Sequence, residues 1–278
     1  MDTIDDLLSF GGRQKILRHH SDILSCEMNF AIFLPPSVKQ TPCPVLWYLS
    51  GLTCTHANVM EKGEYRRVAS ELGIAIVCPD TSPRGDDVPD EPENWQFGSG
   101  AGFYLDASIP PYDKNYKMYS YIIEELPRLI KKEFSLDMKS QGIMGHSMGG
   151  HGAMIAALKN PGRFKSCSAF APITQPSTAG WSKKAFEKYL GTDERVWRDY
   201  DAINLLEDGH RFTELLVDHG LGDQFLEEGL RPNLLEAACE KAGVPLDLRL
   251  REGYDHSYYF ISTFMESHIR WHFERLKV

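Results

Sequence analysis

Residues 145–149, which read Gly-His-Ser-Met-Gly, constrain the fold more than any other part of this chain. They follow a short apolar run at 142–144 and precede a run of small residues that begins at Gly149. A serine held in a strained turn between a strand and a helix needs small neighbours, because larger side chains would clash there. The pattern therefore predicts a nucleophile elbow with Ser147 at its tip and a helix over residues 148–159 behind it.

Strand-like and helix-like segments alternate along the chain. Continuous apolar runs, typical of strands covered on both faces, lie at 44–49 and 74–78. Further strands are predicted at 28–34, 142–144, 164–171, 215–217 and 246–250, and helices at 64–72, 119–134, 234–242 and 257–276. We therefore predict one α/β-hydrolase domain over residues 1–278, with a mostly parallel central sheet flanked by helices on both faces.

Composition excludes several functional classes. The formal net charge is −9, and an acidic surface repels phosphate, so we expect no nucleic-acid binding. The acidic N-terminus does not resemble a signal peptide, and no apolar run approaches the roughly 18 residues that span a bilayer. The six cysteines form no C-x-x-C pair. We expect a cytoplasmic protein with reduced thiols and no membrane association.

A long segment, residues 80–112, is rich in proline, glycine and aspartate. Loops of this length are uncommon inside compact domains and tend to be functional. We therefore expect this segment to contribute to function.

The predicted nucleophile needs a base, because a serine hydroxyl attacks poorly unless a neighbouring histidine takes its proton. In this fold the acid and then the histidine follow the serine, each on a loop after a later strand. His256 lies between the last predicted strand and the last helix, so we predict that it is the base. His151 lies on the helix behind the nucleophile, and His210 and His268 lie in stretches that indicate helix or surface.

Two aspartates could orient that base. Asp218 comes directly after the strand predicted at 215–217, and Asp223 lies further along the same loop, where its side chain can turn back toward the sheet. The sequence pattern alone leaves both candidates open.

Several longer motifs occur together in this chain. They lie at 50–55 (SGLTCT), 80–85 (DTSPRG), 98–104 (GSGAGFY), 116–127, 145–152 (GHSMGGHG), 223–226 (DQFL) and 253–260 (GYDHSYYF). In this combination the chain resembles the S-formylglutathione hydrolase family, also called esterase D, from about residue 28 to its end. The G-x-S-x-G pattern is shared by many hydrolases, whereas the whole combination is narrow.

The resemblance implies specific site residues. It implies a catalytic triad of Ser147, Asp223 and His256, and so favours Asp223 of the two aspartates. It also implies an oxyanion hole formed by the main-chain N–H groups of Leu52 and Met148. Met148 follows the nucleophile and Leu52 follows an early strand end, which agrees with the usual origin of such donors.

The resemblance also implies an activity, which is the hydrolysis of S-formylglutathione to formate and glutathione during formaldehyde removal. The substrate would be this small molecule, with no cofactor and no metal, and the family is often homodimeric. Cys54 and Trp181 are expected in the substrate pocket, and Arg84, Lys62 and Trp181 are candidates for holding glutathione.

Two alternative functions stay open at this point. The chain could be a general short-chain carboxylesterase for which glutathione is incidental. It could also be a non-catalytic binding protein on a hydrolase fold, although such proteins usually lack a triad member.

Overall fold

One mixed sheet forms the framework of the chain in the computed structural model, which describes residues 1–277. Across these residues nine strands lie in the order β1-β2-β3-β5-β4-β6-β7-β8-β9. They are β1 Asp2–Ser9, β2 Gly12–Ser21, β3 Cys26–Leu34, β4 Cys43–Leu49, β5 Ala75–Pro79, β6 Leu136–His146, β7 Ser166–Phe170, β8 Leu215–Gly220 and β9 Leu246–Arg251. From β5 to β9 all neighbours are parallel, whereas β1, β2, β3 and β5 pair antiparallel. The predicted mostly parallel sheet is confirmed.

Helices connect most of these strands. The α-helices are α1 His56–Lys62, α2 Arg66–Leu72, α3 Met118–Ser120, α4 Leu126–Glu133, α5 Met148–Lys159, α6 Gly180–Leu190, α7 Glu194–Trp197, α8 Ala202–Glu207, α9 Pro232–Ala242 and α10 Tyr258–Leu276. Short 3₁₀ turns lie at Pro36–Lys39, Tyr112–Lys114 and Arg198–Tyr200, and π turns at Tyr121–Glu125 and Leu226–Leu230. Gly73 and Gly243 end α2 and α9 in the left-handed conformation, with φ of 74° and 67°, as expected of glycine after a helix.

Helices cover both faces of the sheet, as strand β7 shows. Successive side chains of a strand point to opposite faces. Cys167 Sγ contacts the carbonyl oxygen of Ala153 on α5 at 3.6 Å. Its neighbours Ser166 and Ser168 instead hydrogen bond His272 on α10, at 2.6 and 2.8 Å. Helices α5 and α10 therefore lie on opposite faces, and the predicted α/β layering is confirmed.

The helix predicted over 119–134 contains a wider turn than expected. Helical structure runs from Met118 to Glu133, but its middle is a π turn. Within that turn Glu125 is buried, and its carboxylate accepts hydrogen bonds from the Ser21 hydroxyl at 2.5 Å and the Asp22 N–H at 2.8 Å. The turn thus places a carboxylate in the interior where strand β2 ends. Sequence periodicity could not indicate this long-range contact.

The first two strands were not predicted, and β6 is longer than the predicted 142–144. Strand β1 is rich in aspartate and largely exposed, so it lacks the apolar pattern of a buried strand. Cross-strand ion pairs hold it to β2, because Asp6 contacts Arg13 at 2.7 Å and Lys15 at 2.8 Å. Pairing of this kind depends on charged residues in the partner strand, so the sequence of β1 by itself does not indicate a strand.

Parallel strands bring their carboxyl ends to one edge of the sheet, where open α/β sheets place their ligand sites. The loops that follow β4, β6, β8 and β9 meet at this edge, and they carry most of the predicted site residues. Across residues 1–277, the structure contains no helix with the length and apolar character required to cross a bilayer.

Candidate active site

Ser147 occupies a strained turn between β6 and α5. Its backbone has φ 56° and ψ −117°, a combination that non-glycine residues rarely adopt and that costs about 1–3 kcal/mol. The turn brings the backbone very close to its neighbours, so that a Cβ added at Gly149 would overlap the carbonyl oxygen of Leu49. A Cβ at Gly145 would overlap the carbonyl oxygen of Gly149. The glycines of the sequence pattern are therefore sterically required.

His256 and Asp223 form a close pair beside this turn. His256 Nδ1 lies 2.5 Å from Asp223 Oδ2, and the side chain of Asp223 is fully buried. The second carboxylate oxygen accepts a hydrogen bond from the Phe225 N–H at 2.8 Å. The Gly222 N–H donates to the Tyr254 carbonyl at 2.8 Å and so joins the two loops. With Nδ1–H held by the carboxylate, Nε2 is left as the basic nitrogen.

Asp218, the other candidate acid, lies in a different environment. Its Oδ2 is 2.6 Å from Arg251 Nε, and its Oδ1 is 3.2 Å from His268 Nε2. Burial raises the pKa of the Asp218 carboxyl, but His268 and Arg251 outweigh this effect and hold the pKa below its ordinary value. Asp218 therefore belongs to a buried ion-pair network, and Asp223 is the aspartate that contacts His256.

Three other histidines after Ser147 make their contacts elsewhere or are buried in the core. His151 Nε2 contacts the Phe103 carbonyl at 3.0 Å. His268 was predicted to lie on a helix or at the surface. It lies on helix α10 and is fully buried there. His219 is buried on β8, and burial lowers its pKa to about 4.

Two main-chain N–H groups near Ser147 are free to bind an oxyanion. Within residues 1–277, neither Leu52 N–H nor Met148 N–H donates a hydrogen bond to the protein. Met148 begins α5, whose N-terminus favours negative charge. A Cβ added at Gly51 would lie only 3.1 Å from Ser147 Cβ, so the Leu52 loop closely approaches the nucleophile. In the described part of the chain, both N–H groups are therefore unpaired close to Ser147.

A cavity of about 210 Å³ opens over Ser147 and His256. Its lining is Leu52, Thr53, Trp95, His146, Ser147, Trp181, Phe225, Leu230 and His256. The Trp181 ring lies 5.9 Å from the Trp95 ring and 6.3 Å from the Phe225 ring, between centroids. The polar side chains of Ser147 and His256 therefore share the cavity with an aromatic wall formed by Trp95, Trp181 and Phe225.

The Ser147 hydroxyl makes no hydrogen bond to any other described residue, although it shares the cavity with His256. Catalytic hydrogen bonds are often long before substrate binds and shorten in the reacting complex. The missing contact is therefore compatible with proton transfer from Ser147 to His256 when a substrate is bound.

The predicted pocket residues are placed differently from one another. Trp181 lines the cavity, whereas Cys54 does not, and burial raises the pKa of its thiol. Arg84 is engaged by Asp80 at 3.2 Å and also donates to the Cys54 carbonyl. Lys62 lines a separate groove beside the start of α10. The structure thus brings only Trp181 of this group to the cavity.

Several cavity residues were not predicted from the sequence. Trp95 comes from the irregular segment 80–112, which was expected to contribute to function although no signal pointed to Trp95 itself. Phe225 and Leu230 follow the Asp223 loop, and His146 directly precedes the nucleophile. Their positions depend on how distant loops fold over one another, which local patterns do not show.

The chain is similar to known esterases throughout the region that builds this cavity. A family model described as "Putative esterase" matches residues 21–271. S-formylglutathione hydrolase of Mus musculus is 51% identical over 266 residues, which cover 95% of this chain and 94% of that protein. S-formylglutathione hydrolase of Paracoccus denitrificans (strain Pd 1222) is 47% identical over 275 residues, covering 99% and 98%.

Similarity to a solved structure extends over nearly the whole chain. The structure described as "Structural and Kinetic Study of an S-Formylglutathione Hydrolase from Agrobacterium tumefaciens" superposes with a TM-score of 0.98 and 63% identity. The match covers 99% of this chain and 100% of that chain.

Proposed function

The chain belongs to the S-formylglutathione hydrolases, within the esterase family, and on that premise we propose that Ser147, His256 and Asp223 hydrolyse S-formylglutathione to formate and glutathione. One observation carries the assignment of residues. His256 contacts a fully buried Asp223 at the wall of the cavity that holds Ser147.

Acylation begins when His256 Nε2 takes the proton of the Ser147 hydroxyl while Oγ attacks the formyl carbon. The carbonyl oxygen becomes an oxyanion, which the N–H groups of Leu52 and Met148 hold. Such donors are worth about 3–4 kcal/mol each in comparable sites. Collapse of this intermediate breaks the C–S bond and leaves a formyl ester on Ser147.

The leaving thiolate takes the proton from His256 and departs as glutathione. A thiol with an ordinary pKa of about 8.5 is a good leaving group, so this transfer needs little assistance. Water then attacks the formyl ester, with His256 again accepting a proton. Formate is released and Ser147 regains its hydrogen. Asp223 holds the Nδ1–H throughout, so the imidazolium is stabilised each time it forms.

The aromatic lining of the cavity supports a second candidate, which is hydrolysis of short-chain carboxylic esters. Trp95, Trp181 and Phe225 offer apolar surface that a short acyl chain can contact. The ratio of kcat/KM for S-formylglutathione to that for p-nitrophenyl acetate tests the choice. A ratio far above one supports the thioesterase, whereas a ratio near or below one supports the general esterase.

The decisive experiment compares Ser147→Ala with Ser108→Ala, a matched change at an exposed serine. We expect Ser147→Ala to lower kcat for S-formylglutathione by about 10⁶-fold, as nucleophile removal does in comparable hydrolases. Ser108→Ala should keep wild-type turnover. A fluorophosphonate probe should add to Ser147 in the wild type and in Ser108→Ala only. Retained turnover or labelling in Ser147→Ala would refute the assignment.

We also propose a homodimer that acts in the cytoplasm, because these properties accompany the family resemblance. Sedimentation equilibrium measures the first, and a dimer mass is expected at micromolar concentrations. Fractionation of the source cells measures the second. A monomer, or recovery in the membrane fraction, would contradict the respective proposal.

A further inference from the structure

His146 is a buried imidazole beside the nucleophile that the mechanism above does not use. It lies at the end of β6 and is only 6% exposed. Within residues 1–277, both ring nitrogens are closed off from water and neither reaches a partner in strict hydrogen-bond geometry, although the main chain of His256 lies close enough to favour the protonated ring. A buried polar ring with so little hydrogen bonding is costly, so its presence at this position calls for a role.

The His146 ring contacts both loops that must meet around Ser147. Its centroid lies 4.5 Å from the centroid of the His256 ring, with an angle of 48° between the planes. On the side of the oxyanion-hole loop, a Cβ added at Gly51 would lie 3.1 Å from His146 Nδ1. The Tyr258 ring, at the start of α10, lies 6.3 Å away. The imidazole thus fills the space between the Leu52 loop and the base loop.

We propose that His146 is a positioning residue for His256. Its flat ring, wedged between Gly51 and the imidazole of the base, sets the plane of His256 so that Nε2 faces Ser147. This proposal rests on the proposed function, and it adds to the same site a residue that fixes the orientation of the base. His256 needs such support because one of its faces borders the cavity, where 18% of its side chain is exposed.

Phe225 is the other ring against His256, with centroids 5.1 Å apart and planes at 76°. Asp223 fixes Nδ1, but a single hydrogen bond still permits rotation about its axis. Contacts with the rings of His146 and Phe225 remove that freedom. The base is therefore held at Nδ1 by a carboxylate and on its ring by aromatic neighbours.

His146 stays neutral during turnover. Burial lowers its pKa well below the ordinary value, and a positive charge on His256 lowers it further. The proton taken from Ser147 therefore remains on His256 and does not pass to the neighbouring ring. Since the His146 nitrogens are enclosed, the role resides in the shape of the ring and not in a hydrogen bond to substrate.

The experiment compares His146→Phe with His146→Leu. Both variants fill the space, but only phenylalanine keeps a planar ring. We expect His146→Leu to lower kcat about 10- to 100-fold, because displacing a catalytic group by about 1 Å can cost 10²-fold. KM should change less than about twofold, since substrate contacts persist, and His146→Phe should restore kcat to within about threefold of wild type.

His151→Leu is the matched control. His151 is also a buried histidine near Ser147, but it contacts Phe103 and Phe186 and not His256. Its replacement should leave kcat unchanged even where stability falls. If His146→Leu keeps wild-type kcat, or if His146→Phe loses as much as His146→Leu, the positioning role is wrong.

A second readout separates this inference from the proposed function. The rate at which a fluorophosphonate labels Ser147 reports activation of the hydroxyl without any thioester substrate. That rate should fall in His146→Leu and recover in His146→Phe, in parallel with kcat. If wild type is labelled but does not hydrolyse S-formylglutathione, the proposed substrate fails while the positioning role is still tested. If wild type is not labelled, the assigned nucleophile itself fails.

Discussion

Replacing Asp218 by alanine should lower the free energy of unfolding by about 3–4 kcal/mol and leave kcat close to the wild-type value. The sequence pattern alone left both aspartates after Val217 open as the catalytic acid, and the family resemblance favoured Asp223. In the structure Asp218 binds Arg251 and His268 inside the protein, whereas Asp223 contacts the base. Replacing Asp218 should therefore reduce stability, whereas replacing Asp223 should reduce turnover.

The magnitude follows from the contacts that alanine removes. The Asp218 side chain is fully buried, and its two oxygens lie 2.6 Å from Arg251 Nε and 3.2 Å from His268 Nε2. Removing one member of a buried ion pair costs about 3–5 kcal/mol, because the partner charge is left uncompensated. The Arg251 side chain is 27% exposed, so water recovers part of its solvation and the lower half of that range applies.

Urea unfolding at pH 7, followed by circular dichroism and extrapolated linearly to water, measures the change in stability. The slope with urea should stay constant, since the same surface is exposed on unfolding. At roughly 2–4 °C per kcal/mol for a chain of this size, Tm should fall by roughly 6–16 °C. Turnover is measured at a temperature well below the lowered Tm.

Asp223→Asn is the matched variant. The asparagine oxygen can still accept from the Phe225 N–H, while its NH₂ group faces His256 Nδ1 and favours the wrong tautomer. We expect kcat to fall by about 10⁴-fold, as when the equivalent carboxylate is neutralised in other serine hydrolases. The free energy of unfolding should change by less than about 1 kcal/mol, because both neighbouring groups retain partners.

Two results would refute this reasoning. A loss of less than about 1 kcal/mol in Asp218→Ala would show that the buried ion pair contributes little to stability. A folded Asp218→Ala protein with a kcat loss comparable to that expected of Asp223→Asn would reassign the catalytic acid.

Two further predictions concern the buried histidines His151 and His219 and the contact between Gly229 and Trp181. Burial lowers the pKa of His151 and of His219 to about 4, so both are neutral when folded but protonate near pH 6.5 when unfolded. As pH falls below 6.5, the unfolded state therefore binds more protons than the folded state. Each histidine should lower the free energy of unfolding by about 2 kcal/mol between pH 8 and pH 5. Urea unfolding at several pH values measures this change, and a stability that does not vary with pH would contradict the prediction. In Gly229→Ala the new methyl group would press on the Trp181 indole, at 2.7 Å from Cζ2 before relaxation. We expect kcat/KM for p-nitrophenyl butyrate to fall more than that for the acetate, and an unchanged ratio would contradict the role of Trp181 as a cavity wall.

Much of the framework could be predicted because its signals are local. The helix behind Ser147 matches the predicted range 148–159, and Gly73 ends α2 where expected. Buried parallel strands are continuous apolar runs, which stand out in any sequence. The β1–β2 hairpin could not be seen in this way, since ion pairs between the strands replace apolar alternation.

The site was predictable in its pattern but not in its details. The glycines around Ser147 reflect local sterics, so the turn was visible in the sequence. The choice between Asp218 and Asp223 depends on which distant side chain each one meets, and pattern reasoning left it open. Cys54 is close to Leu52 in sequence, but it does not line the cavity. Proximity along the chain did not determine which side chains face the substrate.

At the carboxyl edge of the sheet, the proposed reacting groups and the two tryptophans of the cavity wall come from different kinds of loop. Ser147, Asp223 and His256 lie on tight turns that leave the strands directly, whereas Trp95 and Trp181 belong to long excursions between strands. Mutations in those excursions can remodel the room around the acyl group without altering the spacing of the reacting atoms. Directed evolution toward bulkier esters should therefore begin with the two excursions and leave the tight turns untouched.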